Sequence, residues 1–395
     1  MKAVVFHDVG DIRLEDVPEP KLKAPSDAIV RITASAICGT DLHMVRGTMP
    51  GMKEGTILGH EGVGAVEDIG KGVHNLKAGD RVVIPSTIGC GYCSYCRDGY
   101  FAQCDNANPN GPTAGTAFFG GPAETGPFDG LQAEYARIPF ANVGLVKVPP
   151  EIDDHQAILL SDIFPTAYFG ADMAEISPGD TVAVFGCGPV GLFTIVSAFL
   201  KSAGRVIAID AVRSRLDRAA ALGAECINFA EDDPVEAIKE LTGGIGVDRA
   251  IDAVGVDSSS PKKRDPEGEQ EVKKIARKTH PENGNWHPGN HPSQAIRWAV
   301  ASLAKAGTLS VIGVYPKTVE FFPLGEAMNK NLAINMGNCH HRRYLPKLVR
   351  MVRAGEVDPS EVLSHVQPLH DAISAYKAFD KRAEGWIKVA MHVGA

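Results

Sequence analysis

Three residues, well separated in the sequence, offer a mixed set of metal ligands. Cys38 provides a thiolate, His60 in Gly59-His60-Glu61-Gly62 an imidazole, and Asp162 a carboxylate. Three protein ligands with a fourth position left open are typical of a catalytic zinc rather than a structural one. The chemistry that such a site supports is the polarisation of an alcohol or aldehyde oxygen.

Each of these residues also has a structural interpretation. A lone buried cysteine serves about equally well as core packing, although Thr40 and His43 just downstream of Cys38 favour the metal. Asp162 precedes Pro165, and an acid followed by proline is a helix start signal. From the residues alone, a helix cap is the better interpretation of Asp162.

A second cluster of possible ligands is local and more specific. Cys90, Cys93, Cys96 and Cys104 lie within fifteen residues on a glycine-containing loop. Four thiolates at this spacing fit a closed tetrahedral zinc, which would stabilise a lobe at 89–105 that has little core of its own. A redox pair of cysteines is the alternative, but it leaves the other two unexplained.

A strand, a glycine-rich turn and a helix follow one another from Thr181. The turn is Gly186-Cys187-Gly188-Pro189-Val190-Gly191, and the next strand ends at Asp210. In this context the motif predicts dinucleotide binding, with the pyrophosphate at the helix N-terminus. Asp210 would accept hydrogen bonds from the ribose and repel a 2′-phosphate, which favours NAD over NADP. Arg213 and Arg215 nearby leave NADP open as the alternative.

These signals lie in two kinds of sequence. Residues 1 to about 90 contain short strands broken by Gly and Pro, whereas strands alternate with helices from Thr181 onward, which indicates a doubly wound parallel sheet. We predict a helix over Ser293–Ala306 and a strand over Leu309–Val314. The charged, Pro- and Gly-rich insertion 257–292 is predicted to be a solvated loop. A flap over the cofactor and a metal site from His280, His287 and His291 are its alternatives.

Composition narrows the possible partners. The net charge of -8 argues against nucleic acid as the main partner, and 44% hydrophobic with 22% charged residues is ordinary globular composition. No apolar run approaches about 18 residues, and no signal peptide is evident at the N-terminus. We therefore expect a cytoplasmic protein with no membrane partner.

Together, the Gly-His-Glu signature at 59–61, the four-cysteine lobe and the glycine turn with Asp210 resemble the zinc-containing medium-chain alcohol dehydrogenases. The resemblance covers nearly the whole chain. It implies an α/β fold with a GroES-like catalytic domain at 1–170 and 338–395 and a Rossmann domain with a six-stranded sheet at 171–337. It also implies a dimer or tetramer.

The resemblance assigns roles to individual residues. It makes Cys38, His60 and Asp162 the catalytic zinc ligands, which overturns the helix-cap interpretation of Asp162. An aspartate at this place is similar to the bacterial glutathione-independent formaldehyde dehydrogenases and formaldehyde dismutases. Glu61 would tune the metal, and a proton would leave through Thr40, the nicotinamide ribose and His43. The residues assigned to the cofactor, besides the glycine turn and Asp210, are Thr166, Arg215, Val254, Val314 and Lys388, the last on the pyrophosphate.

The implied protein is an enzyme with two zinc ions per chain. It would transfer a hydride between NAD and an alcohol or aldehyde hydrate, with formaldehyde as one possible substrate. The first alternative is a primary-alcohol or polyol dehydrogenase without formaldehyde activity. The second is a non-catalytic zinc-binding module, which the Thr40 and His43 pair argues against.

Overall fold

The computed structural model describes residues 1–111, 113–262, 265–275, 286, 289–317 and 319–394. The contacts divide the chain into two compact units. The first contains residues 1–165, Trp286 and the chain from Cys339 onward, and the second contains residues 166–275 and 289–338 as far as they are described.

The strands follow one another from β1 near the N-terminus to β15 near the C-terminus. In chain order they are β1 (Lys2–Asp8), β2 (Asp11–Asp16), β3 (Ala28–Ile37), β4 (Gly62–Ile69), β5 (Arg81–Ile84), β6 (Tyr135–Ile138), β7 (Val146–Lys147), β8 (Thr181–Phe185), β9 (Arg205–Asp210), β10 (Glu225–Asn228), β11 (Val247–Asp252), β12 (Leu303–Val311), β13 (Ala333–Met336), β14 (His365–Pro368) and β15 (Val389–His392).

The α-helices are mostly short. In chain order they are α1 (Gly39–Val45), α2 (Ser94–Arg97), α3 (Ala141–Gly144), α4 (Asp154–Leu159), α5 (Ile163–Met173), α6 (Pro189–Leu200), α7 (Arg213–Ala221), α8 (Pro234–Leu241), α9 (Pro266–Ile275), α10 (Gln294–Ser302), α11 (Leu324–Asn329), α12 (His341–Arg353) and α13 (Ala372–Asp380). No helix in the described part of the chain is long and apolar enough to cross a membrane.

The first unit is built on a mostly antiparallel sheet. Among the described residues its strand order is β14-β15-β3-β4-β5-β7, with β6 also paired to β3. The long β3 is buried over most of its length and pairs with β4, β6 and β15. The C-terminal strand therefore returns to the N-terminal sheet, and residues just outside β3, β4 and β15 are brought close together.

The second unit contains a parallel sheet with the order β10-β9-β8-β11-β12-β13 in the described residues. The strand segment Val182–Phe185 is almost fully buried, as expected where helices cover both faces of a parallel sheet. The strand order reverses between β8 and β11, the place where ligands bind in open α/β sheets. The predicted α/β fold with a six-stranded doubly wound sheet is confirmed.

Two predictions of secondary structure were wrong. The predicted helix Ser293–Ala306 ends at Ser302, because Leu303 begins β12 and pairs with Val247 of the neighbouring strand. The insertion is not entirely a solvated loop, because its described part contains α9, in which Glu271 and Ile275 are buried. Strand pairing overrides the local pattern of the sequence in the first place, and burial does so in the second.

Candidate active site

The three candidate zinc ligands come together in the first unit. Cys38 precedes α1, His60 precedes β4 and Asp162 precedes α5. Asp162 Oδ2 lies 3.4 Å from His60 Nε2 and 3.6 Å from Cys38 Sγ. With Glu61, these buried residues each place one ligand atom within 4.8 Å of the others. The arrangement brings sulfur, nitrogen and oxygen donors to one buried point.

The backbone around the ligands is fixed by specific contacts. Gly59 has a φ of +93°, and a Cβ there would lie 2.4 Å from Cγ of Gln132, so glycine is required before His60. The Ser161 hydroxyl accepts a hydrogen bond from the Gly62 backbone N–H at 3.0 Å. It donates to the carbonyl of Ile84. These bonds hold the residue before Asp162 between β4 and β5.

The electrostatics of the cluster suit a cation. Burial raises the pKa of the Cys38 thiol, and the charge of Asp162 raises it further. Burial lowers the pKa of His60, but Asp41 and Asp162 outweigh burial and hold the pKa well above its usual range. Glu61 Oε2 is buried without a hydrogen-bond partner among the described residues. This donor set, with a carboxylate oxygen left over, fits a divalent zinc.

Asp41 is a residue that the sequence analysis missed. Its Oδ1 lies 3.0 Å from His60 Nδ1, and its Oδ2 accepts a hydrogen bond from the Cys38 backbone N–H at 2.9 Å. One buried carboxylate therefore orients two candidate ligands, as outer-shell carboxylates do for zinc-binding histidines. An acid three residues after the cysteine, at the start of a short helix, was the available signal.

The contact of Lys388 with the pyrophosphate stays a prediction, and the structure gives this lysine two partners of its own. Lys388 is fully buried in the first unit, and its Nζ donates to Glu61 Oε1 at 2.6 Å and to the carbonyl oxygen of Ile37 at 3.0 Å. Burial raises the pKa of Glu61, and the Lys388 charge opposes that rise. The lysine therefore neutralises a carboxylate that belongs to the metal cluster.

Asp162 has a second contact that the sequence analysis missed. His341, the first residue of α12, donates from Nε2 to Asp162 Oδ1 at 2.7 Å. The Thr87 hydroxyl lies 3.1 Å from His341 Nδ1. Burial raises the pKa of Asp162, but the hydrogen bonds of His341 and His60 outweigh it and hold the pKa well below its usual range. The carboxylate is thus ionised, as a metal ligand has to be.

The predicted relay residues lie on α1. Thr40 is half-buried and His43 is buried, three residues further along the same short helix. Residues at this spacing share one face of a helix. Phe118, from the loop after the four-cysteine lobe, stands edge-on to the His60 ring at 6.2 Å between centroids. That loop therefore contributes an aromatic wall beside the candidate metal.

The four cysteines of the lobe have the geometry of a closed site. The Sγ atoms of Cys90 and Cys96 are 4.0 Å apart, and those of Cys93 and Cys104 are 3.9 Å apart. A tetrahedron with zinc–sulfur bonds of about 2.3 Å has edges of about 3.8 Å. The Cys90 backbone N–H donates to Cys104 Sγ at 3.2 Å. A hydrogen bond from Cys96, acting against burial, lowers the pKa of Cys104 to about 5. The two measured sulfur–sulfur distances are thus close to those of a zinc–thiolate tetrahedron.

The glycine turn of the second unit is shaped for a phosphate. Gly186 has a φ of +90°, and a Cβ on Gly191 would lie 1.8 Å from the carbonyl oxygen of Gly186. At Gly188 the nearest heavy atom to a Cβ is 3.9 Å away, so the fold itself does not require glycine there. The space is left for a ligand at the N-terminus of α6, which starts with Pro189 and Val190. This open space fits a dinucleotide pyrophosphate.

The remaining cofactor candidates surround this turn or the strand ends. Asp210 ends β9 and accepts a hydrogen bond from the Cys187 backbone N–H at 2.8 Å. Arg215 lies 3.8 Å from the Asp210 carboxylate. Val254 follows β11, and the carbonyl of Val314, beyond β12, accepts from the Val256 N–H at 2.9 Å. Thr166 is half-buried on α5.

The predicted alternative of a histidine metal site in the insertion falls partly outside the described residues, since His280 and His287 are not among them. His291 is described and lies 2.8 Å from Asp265 and 3.9 Å from Glu271. Arg297 pairs with Glu271 at 3.2 Å, and Ser293 donates to both oxygens of that carboxylate. These contacts describe an ion-pair network that attaches α9 to the start of α10.

Known proteins match this chain over its whole length. Family models match residues 24–150 as an alcohol dehydrogenase GroES-like domain and residues 189–262 as a zinc-binding dehydrogenase. An uncharacterized zinc-type alcohol dehydrogenase-like protein AdhB from Bacillus subtilis is 39% identical, over 99% of this chain and 100% of that protein. A glutathione-independent formaldehyde dehydrogenase from Pseudomonas aeruginosa is 33% identical, over 96% and 94%.

A solved structure supports the same family. The alcohol dehydrogenase TADH from Thermus sp. ATN1 superposes with a TM-score of 0.82 at 33% identity, covering 100% of both chains. The family predicted from the motifs is thereby confirmed, and with it the use of zinc and a nicotinamide dinucleotide. The chain belongs to the zinc-dependent medium-chain alcohol dehydrogenases.

Proposed function

We propose that the chain is a zinc-dependent, NAD-linked oxidoreductase that interconverts a small alcohol and its carbonyl compound, with Cys38, His60 and Asp162 as catalytic zinc ligands. The observation that carries this proposal is the buried convergence of Asp162 Oδ2 with His60 Nε2 at 3.4 Å and Cys38 Sγ at 3.6 Å. A separate four-cysteine lobe accounts for a second zinc per chain.

The chemistry that bound zinc supplies is polarisation of the substrate oxygen, and that of NAD is hydride acceptance. The chain's own residues do the rest. Asp41 and Asp162 hold His60 between two carboxylates. The Thr40 hydroxyl accepts the proton of the substrate alcohol while it releases its own proton toward His43, on the same face of α1, which passes a proton on. Lys388 keeps Glu61 paired, so the cluster carries less negative charge than its carboxylates alone would give it.

We propose NAD rather than NADP as the cofactor. The support is the Asp210 carboxylate at the end of β9, next to the glycine turn. Arg215 lies 3.8 Å from that carboxylate, which partly neutralises the positive charge of the arginine. The Arg215 guanidinium is therefore less available to a 2′-phosphate. A homodimer or homotetramer, which the family resemblance implies, belongs to the same proposal and is checked by light scattering of the purified protein.

The first experiment compares two cysteine variants. Cys38→Ser is expected to lose one of two zinc ions and all detectable reduction of NAD by alcohols, with the fold retained. Cys226→Ser is the matched control, since Cys226 is an exposed cysteine of β10. Measurable turnover in Cys38→Ser, or full zinc content in it, would refute the assignment of the metal site.

Formaldehyde is a second candidate substrate. Two observations favour it: the aspartate among the ligands and the 33% identity to the Pseudomonas aeruginosa formaldehyde dehydrogenase. The hydrate of formaldehyde has a hydroxyl group that can occupy the site in the same way as that of an alcohol. Product analysis with and without added NAD separates the cases. Formate that forms only with added NAD indicates a dehydrogenase, and equal formate and methanol without it indicate dismutation on retained cofactor. No product, with activity on longer alcohols, leaves the alcohol dehydrogenase proposal alone.

A further inference from the structure

The two oxygens of Asp162 have different surroundings. Oδ2 faces the cluster, 3.4 Å from His60 Nε2 and 3.6 Å from Cys38 Sγ, whereas Oδ1 accepts a hydrogen bond from His341 Nε2 at 2.7 Å. An ionised carboxylate only accepts hydrogen bonds, so His341 Nε2 carries the proton in this contact. Oδ1 is therefore fixed by a hydrogen bond, while Oδ2 points toward the metal position.

We propose that His341 is a positioning residue for the catalytic zinc: it fixes Asp162 so that a single oxygen, Oδ2, is presented as the ligand. This inference rests on the proposed role of the cluster as the catalytic zinc site. It adds a residue that lies outside the motifs by which that site was recognised. His341 reaches Asp162 across 179 positions of sequence.

The His341 ring is itself held in place. Only 3% of its side chain is exposed, and the Thr87 hydroxyl lies 3.1 Å from Nδ1. Thr87 follows β5, and the Cys339 carbonyl accepts from the same hydroxyl at 3.3 Å. A ring contacted at both nitrogens has one orientation, and so it transmits a defined position to the carboxylate.

The neighbouring histidine ties this arrangement to the four-cysteine lobe. His340 Nδ1 accepts a hydrogen bond from the Ala102 backbone N–H at 3.2 Å, two residues before Cys104. The Tyr100 ring stands edge-on to His340 at 5.3 Å. Consecutive residues at the start of α12 thus contact both metal-binding regions, His340 at the lobe and His341 at Asp162. The lobe helps to determine where His341 lies.

A matched pair of variants tests the proposal. A glutamine side chain reaches about as far as imidazole Nε2, whereas asparagine reaches only about as far as Nδ1. His341→Gln therefore keeps a donor for Asp162 Oδ1, and His341→Asn does not. The loss of an outer-shell partner typically costs about 10–100-fold in metal affinity. We expect a loss of that size in His341→Asn and a clearly smaller one in His341→Gln.

The readout is the zinc affinity of the catalytic site, measured by competition with a chromogenic chelator. The zinc ion of this site is the one that Cys38→Ser is expected to lose. Cobalt(II)-substituted protein adds an absorption spectrum of that site, which should shift in His341→Asn and stay near wild type in His341→Gln. His370→Asn is the control, because 75% of the His370 side chain is exposed and its ion pair with Asp371 is long, at 3.9 Å. Equal zinc affinity and equal cobalt spectra in the Asn and Gln variants would overturn the inference.

This measurement does not depend on turnover. If the wild-type protein oxidised no alcohol and the two variants still differed in zinc affinity, the proposed reaction would fail and the positioning role would stand. If the wild type were active and the two variants bound zinc equally, only the positioning role would fail.

Discussion

The buried pair of Lys388 and Glu61 gives a stability prediction with a definite size. Both side chains are fully buried, with Nζ 2.6 Å from Oε1. Removal of one partner of such a pair leaves an uncompensated charge and costs about 3–5 kcal/mol. In a unit of about 220 residues, 1 kcal/mol shifts the melting temperature by about 2–4 °C. We therefore expect Lys388→Met to lower the melting temperature of the first unit by roughly 10 °C.

The assay is calorimetry of the zinc-loaded protein, and the double variant is decisive. In Lys388→Met with Glu61→Gln no unpaired charge is left, so much of the lost stability should return. Lys147→Met is the control, because Lys147 pairs with Asp80 at 2.8 Å with half of its side chain exposed, and such pairs contribute about 0–1 kcal/mol. If the double variant lost the sum of the two single losses, the two charges would not be coupled and the reasoning would be refuted.

Three further predictions concern the lobe, the cofactor and pH. Cys93→Ser should lose the lobe zinc and have a lower melting temperature. Because His340 and His341 connect the lobe to Asp162, this variant should also bind the catalytic zinc less tightly. An unchanged metal content and melting temperature would contradict the prediction. Asp210→Ala should weaken NAD binding by roughly 10–100-fold, which is what the loss of a hydrogen bond to a charged group costs. It should also raise the ratio of NADP affinity to NAD affinity, measured by titration calorimetry. An unchanged ratio would count against the assignment of Asp210. Burial, with the charge of Arg343, lowers the pKa of His340 to about 4. Because the unfolded chain, with a pKa of about 6.5, then takes up the proton first, stability should fall as pH drops from about 6.5 to 4. His340→Asn, which keeps an acceptor for Ala102, should flatten this slope in thermal melts, and an identical slope would show that another group is responsible.

Local spacing was enough for the features that depend on neighbours in sequence. The strand, glycine turn and helix from Thr181 to Leu200 follow from residue periodicity and the demand for glycine at Gly186 and Gly191. The four lobe cysteines lie within fifteen residues, so their convergence needs no long-range information. The fold class and family could be predicted for this reason.

Contacts that join distant parts of the first unit could not be predicted in this way. Lys388 meets Glu61 across 327 positions, and His341 meets Asp162 across 179. Both depend on the return of the C-terminal chain to the N-terminal sheet, where β15 pairs with β3. The burial of Lys388 is likewise invisible in the sequence. The end of α10 at Ser302 has the same origin, since pairing with β11 converts an apparently helical segment into strand.

The aspartate among the catalytic ligands has a consequence for damage by oxidants. Cys38 is the only cysteine in its cluster of four residues, so no disulfide can close within that cluster when the metal is lost. The lobe is different, because its four thiols lie together, with Sγ atoms as close as 3.9 Å. Under oxidising conditions without zinc, the lobe is expected to cross-link first. Thiols can reduce a disulfide in the lobe again, whereas Cys38, without a disulfide partner in its cluster, is open to oxidation to the sulfinic and sulfonic acids. The irreversible step in inactivation is therefore expected at the catalytic cysteine, although the lobe is the first part to react.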